Sequence, residues 1–240
     1  HDANLRNEGP GLDLLAAWNG GPAVQIFDRD LSLGAVVMEH LPGPSLGDLS
    51  RAGQDAEATE HLATIAVSLH RRSVTPPNDL VRLPPYFSAL LTLIPPPETS
   101  DRDRRNLSHA AALARHLLAT EGAPVPLHGD LHHDNVRKGA RGYTAFDAKG
   151  LFGEVGFELA NAMRNPKGVD LTQTAQIRHR AARWSARLGI DRDRFLAWCV
   201  AKAGLSIAWQ LAKSPIIATD ESAILDALCA ELRTAAPAGL

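Results

Sequence analysis

The residues with the clearest chemical potential lie in one segment, 126–150, which reads PLHGDLHHDNVRKGARGYTAFDAKG. It contains His128 and Asp130, followed by Asn135 and then by Asp147. Phosphoryl transfer needs a carboxylate beside the acceptor hydroxyl, and it needs a second carboxylate and an amide oxygen that hold Mg²⁺ on the phosphates. Asp130, Asn135 and Asp147 can supply these groups in that order.

The spacing of these residues is that of the kinase catalytic loop, H-R-D-x-x-x-x-N, with Gly129 in place of the arginine. Asp-Ala-Lys-Gly at 147–150 stands where kinases carry the metal-binding Asp-Phe-Gly. The pattern predicts a brief strand at 125–127 and a hairpin formed by 135–137 and 143–146. This context matters, because three fixed positions can also coincide by chance.

The histidines of the segment allow a second interpretation. His128, Asp130, His132 and His133 superficially resemble a metallo-hydrolase cluster, and histidine with carboxylate suits Zn²⁺. That interpretation gives Asn135 no role, and no second His/Cys cluster lies at a suitable distance. We therefore expect the histidines to be structural.

Other candidate residues are expected to be structural as well. His70 falls near the C-terminal end of a predicted helix, where a cation is favourable. Trp184, Trp198 and Trp209 lie on predicted helices among apolar neighbours, which indicates core positions, although one of them could line a substrate cleft.

Composition excludes several classes of protein. The chain has 240 residues, 45% of them hydrophobic, and a formal net charge of -2, so nothing in bulk charge favours nucleic acid. The apolar run 195–212 is interrupted by polar residues, which favours a core helix over a membrane span. Cys199 and Cys229 are expected to be reduced core thiols, which predicts a cytoplasmic protein.

The first part of the chain is predicted to be short and β-rich. A helix is expected at 12–18, and the runs 24–27 and 33–39 fit two strands of a hairpin. Two prolines and a glycine within 41–45 predict an extended linker.

The remainder is predicted to be mainly helical, apart from the hairpin that carries the candidate chemistry. Apolar residues recur at helical spacing, and the helix over 100–119 is expected to be largely solvent-facing because it carries many charges. The predicted helices cover 55–72, 86–94, 100–119, 156–164, 171–188, 191–211 and 221–233.

The chain resembles the aminoglycoside phosphotransferase family, and in particular its streptomycin and hydroxyurea kinase branch. The likeness covers nearly the whole chain and is carried by Trp18-Asn19-Gly20, by MEHLPG at 38–43, by HGDLHHDNV at 128–136, by DAKG at 147–150, and by ELAN at 158–161 through Arg164-Asn165-Pro166.

The resemblance implies an α+β, protein-kinase-like fold in which a truncated β-rich N-lobe remnant precedes a mainly helical C-lobe with an inserted catalytic hairpin. The implied boundaries are 1–39 for the remnant, 40–45 for the hinge linker and 46–240 for the C-lobe, with the catalytic loop at 126–150.

The resemblance also implies residue roles in an ATP- and Mg²⁺-dependent reaction. Asp130 would be the catalytic base, and Asn135 and Asp147 would hold Mg²⁺. The segment between the lobes would bind the nucleotide, with the backbone of residues 39–41 pairing with adenine and Met38 at the back of the adenine pocket. The nucleotide-binding residues would thus be Met38, Glu39, His40 and Leu41.

The acceptor is implied to be a hydroxyl of a small molecule, either an aminoglycoside-like antibiotic or hydroxyurea, and an unrelated metabolite stays open. Lys149, Glu154 and Glu158 are the candidate substrate contacts. A polycationic substrate would need an acidic rim, drawn from Glu154, Glu158, Asp170, Asp220 and Glu221. Four positions depart from the branch's pattern and leave the substrate open: Ala148 replaces a proline, Glu154-Val155 replaces Asp-Pro, and Glu158 replaces an aspartate.

A kinase-like small lobe also needs a glycine-rich hairpin and a phosphate-binding lysine. No lysine precedes Lys138, and there is no room for three strands before the first predicted helix. We therefore expect an N-terminal truncation or a natural short form, which leaves an impaired, kinase-like binding protein as an alternative to an active kinase. Glu8 is the candidate partner of the missing lysine, although Gly9-Pro10-Gly11 argues against a helix there.

Overall fold

The structure is a computed structural model that describes residues 2–30 and 33–235, with side chains described for 8–30 and 33–234. The predicted ranges 1–39 and 46–240 extend beyond these limits at their outer ends, and residues 31–32 of the predicted hairpin tip also lie outside the described residues.

The first helix is longer than the sequence indicated. Helix α1 runs over Asp2–Trp18, straight through Gly9-Pro10-Gly11, so the doubt about a helix at Glu8 was wrong. The two glycines of this helix have different surroundings: Gly9 is open, whereas a Cβ on Gly11 would overlap the carbonyl oxygen of Ala148. Gly11 therefore permits α1 to lie directly on the Asp-Ala-Lys-Gly segment.

The predicted hairpin follows α1. Strands β1 (Ile26–Asp30) and β2 (Ala35–Met38) pair antiparallel, with an irregularity between Ile26 and Asp28. The chain beyond β2 is extended, as its prolines and glycine predicted. It ends at Ser45, whose hydroxyl accepts the backbone N–H of Asp48 and caps a short helix, α2 (Leu46–Arg51). Sequence periodicity missed α2 because it is less than two turns long.

The following segments are α3 (Asp55–His70), β3 (Val81–Arg82), α4 (Leu83–Tyr86), α5 (Ser88–Leu91) and α6 (Asp101–Ala119).

Two expectations about this region were wrong. The predicted helix 86–94 is replaced by two shorter helices, α4 and α5. Helix α4 carries prolines at positions that a first turn tolerates, and α5 ends before Pro95, whose ring disfavours a helical residue before it. Helix α6 is also not largely solvent-facing, because one face of it is buried against the core through Leu107, Ala110, Ala114 and Leu117.

The catalytic segment contains β4 (Val125–Leu127), a 3₁₀ turn (His133–Asn135), β5 (Val136–Gly139), β6 (Gly142–Ala145) and β7 (Leu151–Gly153). Strand β4 and the hairpin β5–β6 agree with the prediction. Strand β7 lies between β3 and β4 in a small sheet, parallel to β3 and antiparallel to β4. The two and three residues of β3 and β7 are too few to show a periodic pattern.

The C-terminal region contains two 3₁₀ turns (Val155–Phe157 and Ala160–Arg164), α7 (Thr174–Leu188), α8 (Arg192–Leu211) and α9 (Thr219–Ala235). The predicted single helix 156–164 is thus two tight turns. Helix α8 is the centre of the core, because it packs against α5, α6, α7, α9 and both 3₁₀ turns. Within the described ranges, no helix has the length and apolar character needed to cross a membrane.

Candidate active site

Two amide side chains hold Asp130, one from within the catalytic loop and one from outside it. Asn161, on the second 3₁₀ turn after β7, donates its side-chain amide to Asp130 Oδ1 at 2.5 Å, and Asn135 donates its own to the Asp130 carbonyl at 3.0 Å. Gly129 has a φ of +79°, and a Cβ there would lie 2.5 Å from Leu151 Cγ. Glycine therefore replaces the arginine of the kinase loop because the backbone is left-handed and Leu151 lies against it.

His128 supports the loop from inside. It is fully buried, its Nε2 lies 3.0 Å from the Phe146 carbonyl, and its Nδ1 accepts the Asp130 N–H at 3.4 Å. Burial lowers the pKa of His128 against the opposing effect of Glu158 and Asp130, so the ring is neutral. This placement is the structural role that the sequence predicted for it.

Glu158 lies beneath the loop, outside the cleft. Its carboxylate accepts the backbone N–H groups of His128 and Gly129, each at 3.1 Å, and lies 2.9 Å from His70 Nε2. Burial acts to raise the pKa of Glu158, but His70, His128 and the Gly129 N–H outweigh it and the pKa is lowered. With 1% of its surface exposed, Glu158 cannot contact a substrate, so its assignment as a substrate residue is wrong.

Glu154 is likewise occupied elsewhere. It pairs with Arg194, accepts the Trp198 indole N–H at 3.2 Å, and receives the Gly122 N–H at 3.4 Å. Burial opposes ionisation, but Arg194 and Trp198 lower the pKa of Glu154 overall. It is buried away from the cleft, and its assignment to the substrate is also wrong.

The two candidate magnesium ligands are brought together by the hairpin. The Phe146 N–H donates to the Asn135 carbonyl at 3.0 Å, which places Asp147 next to the end of the catalytic loop. Because the Asn135 amide nitrogen is bound to Asp130, its Oδ1 is the atom free to act as a ligand. Asp147 has a φ of +60° and a half-exposed carboxylate.

The electrostatic surroundings of the Asp147 carboxylate suit a divalent cation. Burial raises the pKa of Asp147; Lys149 opposes this, while the neighbouring carboxylates Asp130 and Glu8 raise it further. A cation would relieve this excess of negative charge. In the described part of the chain no three His, Cys, Asp or Glu residues form a metal site, yet Mg²⁺ typically takes one or two protein carboxylates and completes its shell with phosphates and water.

A cavity of about 310 Å³ lies on one side of Asp147. Its lining is mostly apolar and comes from α1, from β2 and from the segment that follows β6: Glu8, Leu12, Leu15, Val36, Met38, Phe146, Asp147 and Ala148.

Of the four residues predicted to bind the nucleotide, only Met38 lines this cavity. Glu39 turns its side chain to Arg141 in the β5–β6 turn, with Arg141 Nε 3.0 Å from Glu39 Oε1, and its N–H donates to the Gln25 carbonyl at 2.9 Å. The side chain of Leu41 lies against Gly139. The Glu39 side chain therefore fastens the linker to the catalytic hairpin, a role that sequence reasoning missed.

Lys149 lies between the cavity and the catalytic loop. Its Nζ is 3.1 Å from Glu8 Oε1 and 3.9 Å from Asp147 Oδ1, and its backbone N–H donates to the His128 carbonyl at 2.7 Å. Burial would lower the pKa of Lys149, but the carboxylates of Asp147, Glu8 and Asp130 raise it. Glu8, expected to partner a lysine of the small lobe, is paired with Lys149 instead.

A second depression, of about 560 Å³, opens on the other side of the loop and is called the acceptor cleft below. Its lining is polar and aromatic: Tyr86, Asp130, Lys149, Asn161, Arg164, Lys202, Ser206, Trp209, Gln210 and Lys213.

Most of this cleft was not predicted. Lys202, Ser206, Trp209 and Gln210 share one face of α8, at spacings of four, seven and eight residues. The available signal was the series of polar residues interrupting an otherwise apolar helix. Trp209 is the tryptophan that lines a cleft, whereas Trp184 and Trp198 are core residues as expected.

The histidines do not form a metal centre. His132 accepts the Asp134 N–H through Nδ1 at 3.3 Å, and His133 is fully buried with its ring 6.0 Å from that of Trp184. Burial lowers the pKa of both rings. Asp134 pairs with Arg51 at 2.7 Å, so these side chains point to different neighbours and the hydrolase interpretation loses its support.

Comparison with known proteins decides between the remaining interpretations. The sequence profile of the family described as aminoglycoside/hydroxyurea antibiotic resistance kinase matches residues 2–213. The chain belongs to this family. It is therefore a small-molecule phosphotransferase, as the catalytic segment predicted.

Similar proteins include a streptomycin 3''-kinase from Klebsiella pneumoniae, 37% identical over 216 residues that cover 86% of this chain and 77% of the relative. A streptomycin 6-kinase from Streptomyces griseus is 29% identical over 222 residues, covering 89% and 71%. A hydroxyurea phosphotransferase from Kitasatospora aureofaciens is 30% identical over 203 residues, covering 82% and 57%.

Solved structures agree on the fold. A choline kinase, LicA from Streptococcus pneumoniae, superposes with a TM-score of 0.62 at 12% identity, covering 95% of this chain and 80% of that one. The aminoglycoside phosphotransferase APH(4)-Ia, in a ternary complex with ADP and hygromycin B, gives a TM-score of 0.61 at 12% identity, covering 98% and 84%. The fold is thus α+β and protein-kinase-like, as predicted. The division of the chain into an N-lobe remnant that ends at residue 39, a linker over 40–45 and a C-lobe that begins at residue 46 stays a prediction.

Proposed function

We propose that this family member transfers the γ-phosphoryl group of ATP, with Mg²⁺, to a hydroxyl group of a small molecule bound in the acceptor cleft. The observation that supports this most directly is the arrangement of the two openings around one loop. Asp130 lines the acceptor cleft, Asp147 lines the cavity, and Lys149 lies between them. A phosphoryl group in the cavity would therefore face an acceptor beside Asp130.

Asp130 is the proposed base. Asn161 holds its Oδ1, which leaves Oδ2 to accept the proton of the acceptor hydroxyl as that oxygen bonds to phosphorus. The nucleotide would place its base among Leu12, Leu15, Met38 and Phe146, because these apolar side chains line the cavity.

Fewer backbone groups are available to pair with adenine than the sequence implied. The Glu39 N–H is already bound to Gln25, so the backbones of His40 and Leu41 are the proposed partners of adenine. When bound, Mg²⁺ supplies charge neutralisation of the phosphate oxygens, and the residues that fit it are Asn135, through Oδ1, and Asp147. Lys149 would attract the same phosphates.

Two of the relatives described above are named for streptomycin and one for hydroxyurea. An aminoglycoside-like antibiotic or hydroxyurea is the acceptor that these names suggest. A cytoplasmic location stays a prediction from the sequence.

The alternative of an impaired, nucleotide-binding protein is favoured by one observation. Both carboxylate oxygens of Glu8 lie within 3.2 Å of Lys149 Nζ, so the lysine nearest the phosphates is already paired. Titration with ATP in the presence and absence of Mg²⁺ separates the two proposals, because an active kinase requires metal-dependent ATP binding followed by ADP release.

The decisive experiment is acceptor-dependent ADP release from Asp130→Asn beside the matched control Asp79→Asn, a change at an exposed loop position. We expect Asp130→Asn to abolish acceptor-dependent release and the control to keep it, with both variants folded by circular dichroism. Full turnover in Asp130→Asn would refute the assignment of Asp130 and with it the proposed reaction geometry.

A further inference from the structure

The acceptor cleft has an unexpected charge. Four cationic side chains line it, Lys149, Arg164, Lys202 and Lys213, against the single carboxylate of Asp130. A polycation such as an aminoglycoside would meet mainly like charges there. The cleft therefore does not complement the acceptor class that most of the named relatives suggest.

Two of the four cations are neutralised by carboxylates outside the lining. Lys149 is paired with Glu8, and Arg164 is paired with Glu221 through both Nε and a terminal nitrogen. Both carboxylates are thus engaged in ion pairs, and neither of them lines the cleft.

Lys202 is different. Only 3% of it is exposed, its Nζ donates to Ser206 Oγ at 3.0 Å, and it lies 4.9 Å from the centre of the Trp209 ring. Within the described ranges it forms no ion pair. A buried ammonium normally has an anionic partner, because burial without one is costly.

The environment of Lys202 is correspondingly unfavourable to its charge. Burial, followed by the nearby Arg164, lowers the pKa of Lys202 to about 7, although Asp130 and Glu221 act in the opposite direction. An anion in the cleft would stabilise the charged form, whereas an ammonium or guanidinium group would destabilise it further.

The acidic residues that could have formed a rim are all placed elsewhere. Glu154 and Glu158 are buried in other contacts, Asp220 and Glu221 pair with Lys167, and Asp170 bonds to its own loop at Thr172. None of them lines the cleft.

We propose that the acceptor is a small hydroxyl compound carrying an anionic group, a carboxylate or a phosphate, and that Lys202 binds this group while Lys213 attracts it at the rim. The wall formed by Tyr86 and Trp209, whose rings meet edge to face at 5.2 Å, would contact its carbon skeleton. This inference rests on the proposed function, since the bound hydroxyl must face Asp130.

The first test compares matched probes of one size: glycerate, its uncharged amide glyceramide, and the cationic 3-amino-1,2-propanediol. Binding is measured by calorimetric titration of the full chain. We expect glycerate to bind roughly tenfold or more tightly than the amine, with the amide between them. Glycerol 3-phosphate, measured in parallel, decides between a carboxylate and a phosphate. Equal or undetectable binding of all the probes, or tighter binding of the amine or of streptomycin, would overturn the proposal.

The second test uses variants. Lys202→Met should remove the preference for the anion, Lys202→Arg should retain it, and the exposed-site control Arg105→Gln should leave it unchanged. If Lys202→Met instead weakens ATP binding and leaves the preference intact, the lysine serves the nucleotide and the proposal fails.

Failure of the anionic acceptor and failure of the proposed kinase reaction give different results. ADP release that depends on Asp130 but favours streptomycin would refute the anionic acceptor and leave the kinase reaction standing. Anion binding that depends on Lys202, without ADP release from any acceptor, would refute the kinase reaction and leave the binding site standing.

Discussion

The two openings beside the catalytic loop differ in composition and in origin. The cavity next to Asp147 is mostly apolar and is built from α1, β2 and the segment that follows β6. The acceptor cleft next to Asp130 is polar, cationic and aromatic, and it collects residues from α4, the loop and α8. The cavity suits the faces of a flat aromatic base, whereas the cleft suits a small charged molecule.

This difference separates reaction type from acceptor choice. The junction between the two openings is formed by one short segment of sequence, which carries Asp130, Asn135 and Asp147. These three residues would serve any acceptor. Lys202 and Trp209 lie on α8, and changes there can alter the acceptor without altering the loop. Four variants test this separation.

The largest effect is expected at the junction. Asp147→Asn should lower kcat by about 10²–10⁴-fold and raise the Mg²⁺ concentration needed for half-maximal activity, because a neutral amide binds the cation more weakly than a carboxylate does. Steady-state kinetics over a magnesium titration measure this. A normal magnesium requirement in the variant would remove Asp147 from the metal site, whatever the loss of rate.

Glu158 beneath the loop should matter for stability. Glu158→Gln should lower the free energy of unfolding by about 2–4 kcal/mol, since the two N–H groups bind different carboxylate oxygens and the amide nitrogen of glutamine, itself a donor, would face one of them. Urea unfolding measures the loss. Little change at pH 7 would contradict the proposed support of the loop.

The same variant has a predicted pH dependence. The folded-state pKa of Glu158 is lowered, so its contribution is present above its unfolded value near 4.5 and is lost as pH falls through the folded pKa. The stability difference between the wild type and Glu158→Gln should therefore shrink in acid. A difference that grows below pH 4.5 would contradict the direction of the shift.

In the acceptor cleft, Lys202→Met should stabilise the fold while removing the preference for an anionic acceptor. The gain should be about 1–4 kcal/mol, because a buried cation without an ionic partner is replaced by an apolar side chain of similar length. Since the folded pKa is about 7 and the unfolded value is 10.5, wild-type stability should rise between these pH values and the gain should diminish. Thermal unfolding from pH 6 to 10 measures this, and a destabilised variant would show that Lys202 is structural.

The smallest effect is expected at the linker. Glu39→Gln weakens the contact with Arg141, a partly exposed pair, and should cost no more than about 1 kcal/mol in urea unfolding. If the pair also positions the hinge, KM for ATP should rise modestly while KM for the acceptor stays unchanged. An equal change in both would show that the two openings are coupled through the hairpin.

The sequence by itself determined the reaction type, because the motif residues are close along the chain and their spacing carries the chemistry. It also determined the long helices α3, α7 and α8 and the hairpins, where apolar periodicity extends over enough residues to be recognised. Even Asn161, which holds Asp130, lay in a segment that resembled the family, although its role became visible only as a contact.

Tertiary structure alone decided what surrounds these residues. The short strands β3 and β7 form because neighbouring strands supply their hydrogen bonds, and the helix through Gly9-Pro10-Gly11 persists because Gly11 lets α1 lie on Ala148. Burial turned Glu158 from a candidate substrate contact into a support of the loop. Packing likewise buried Lys202 in the cleft without an ion pair among the described residues, because charge in a protein acts through the groups that distant segments bring beside it.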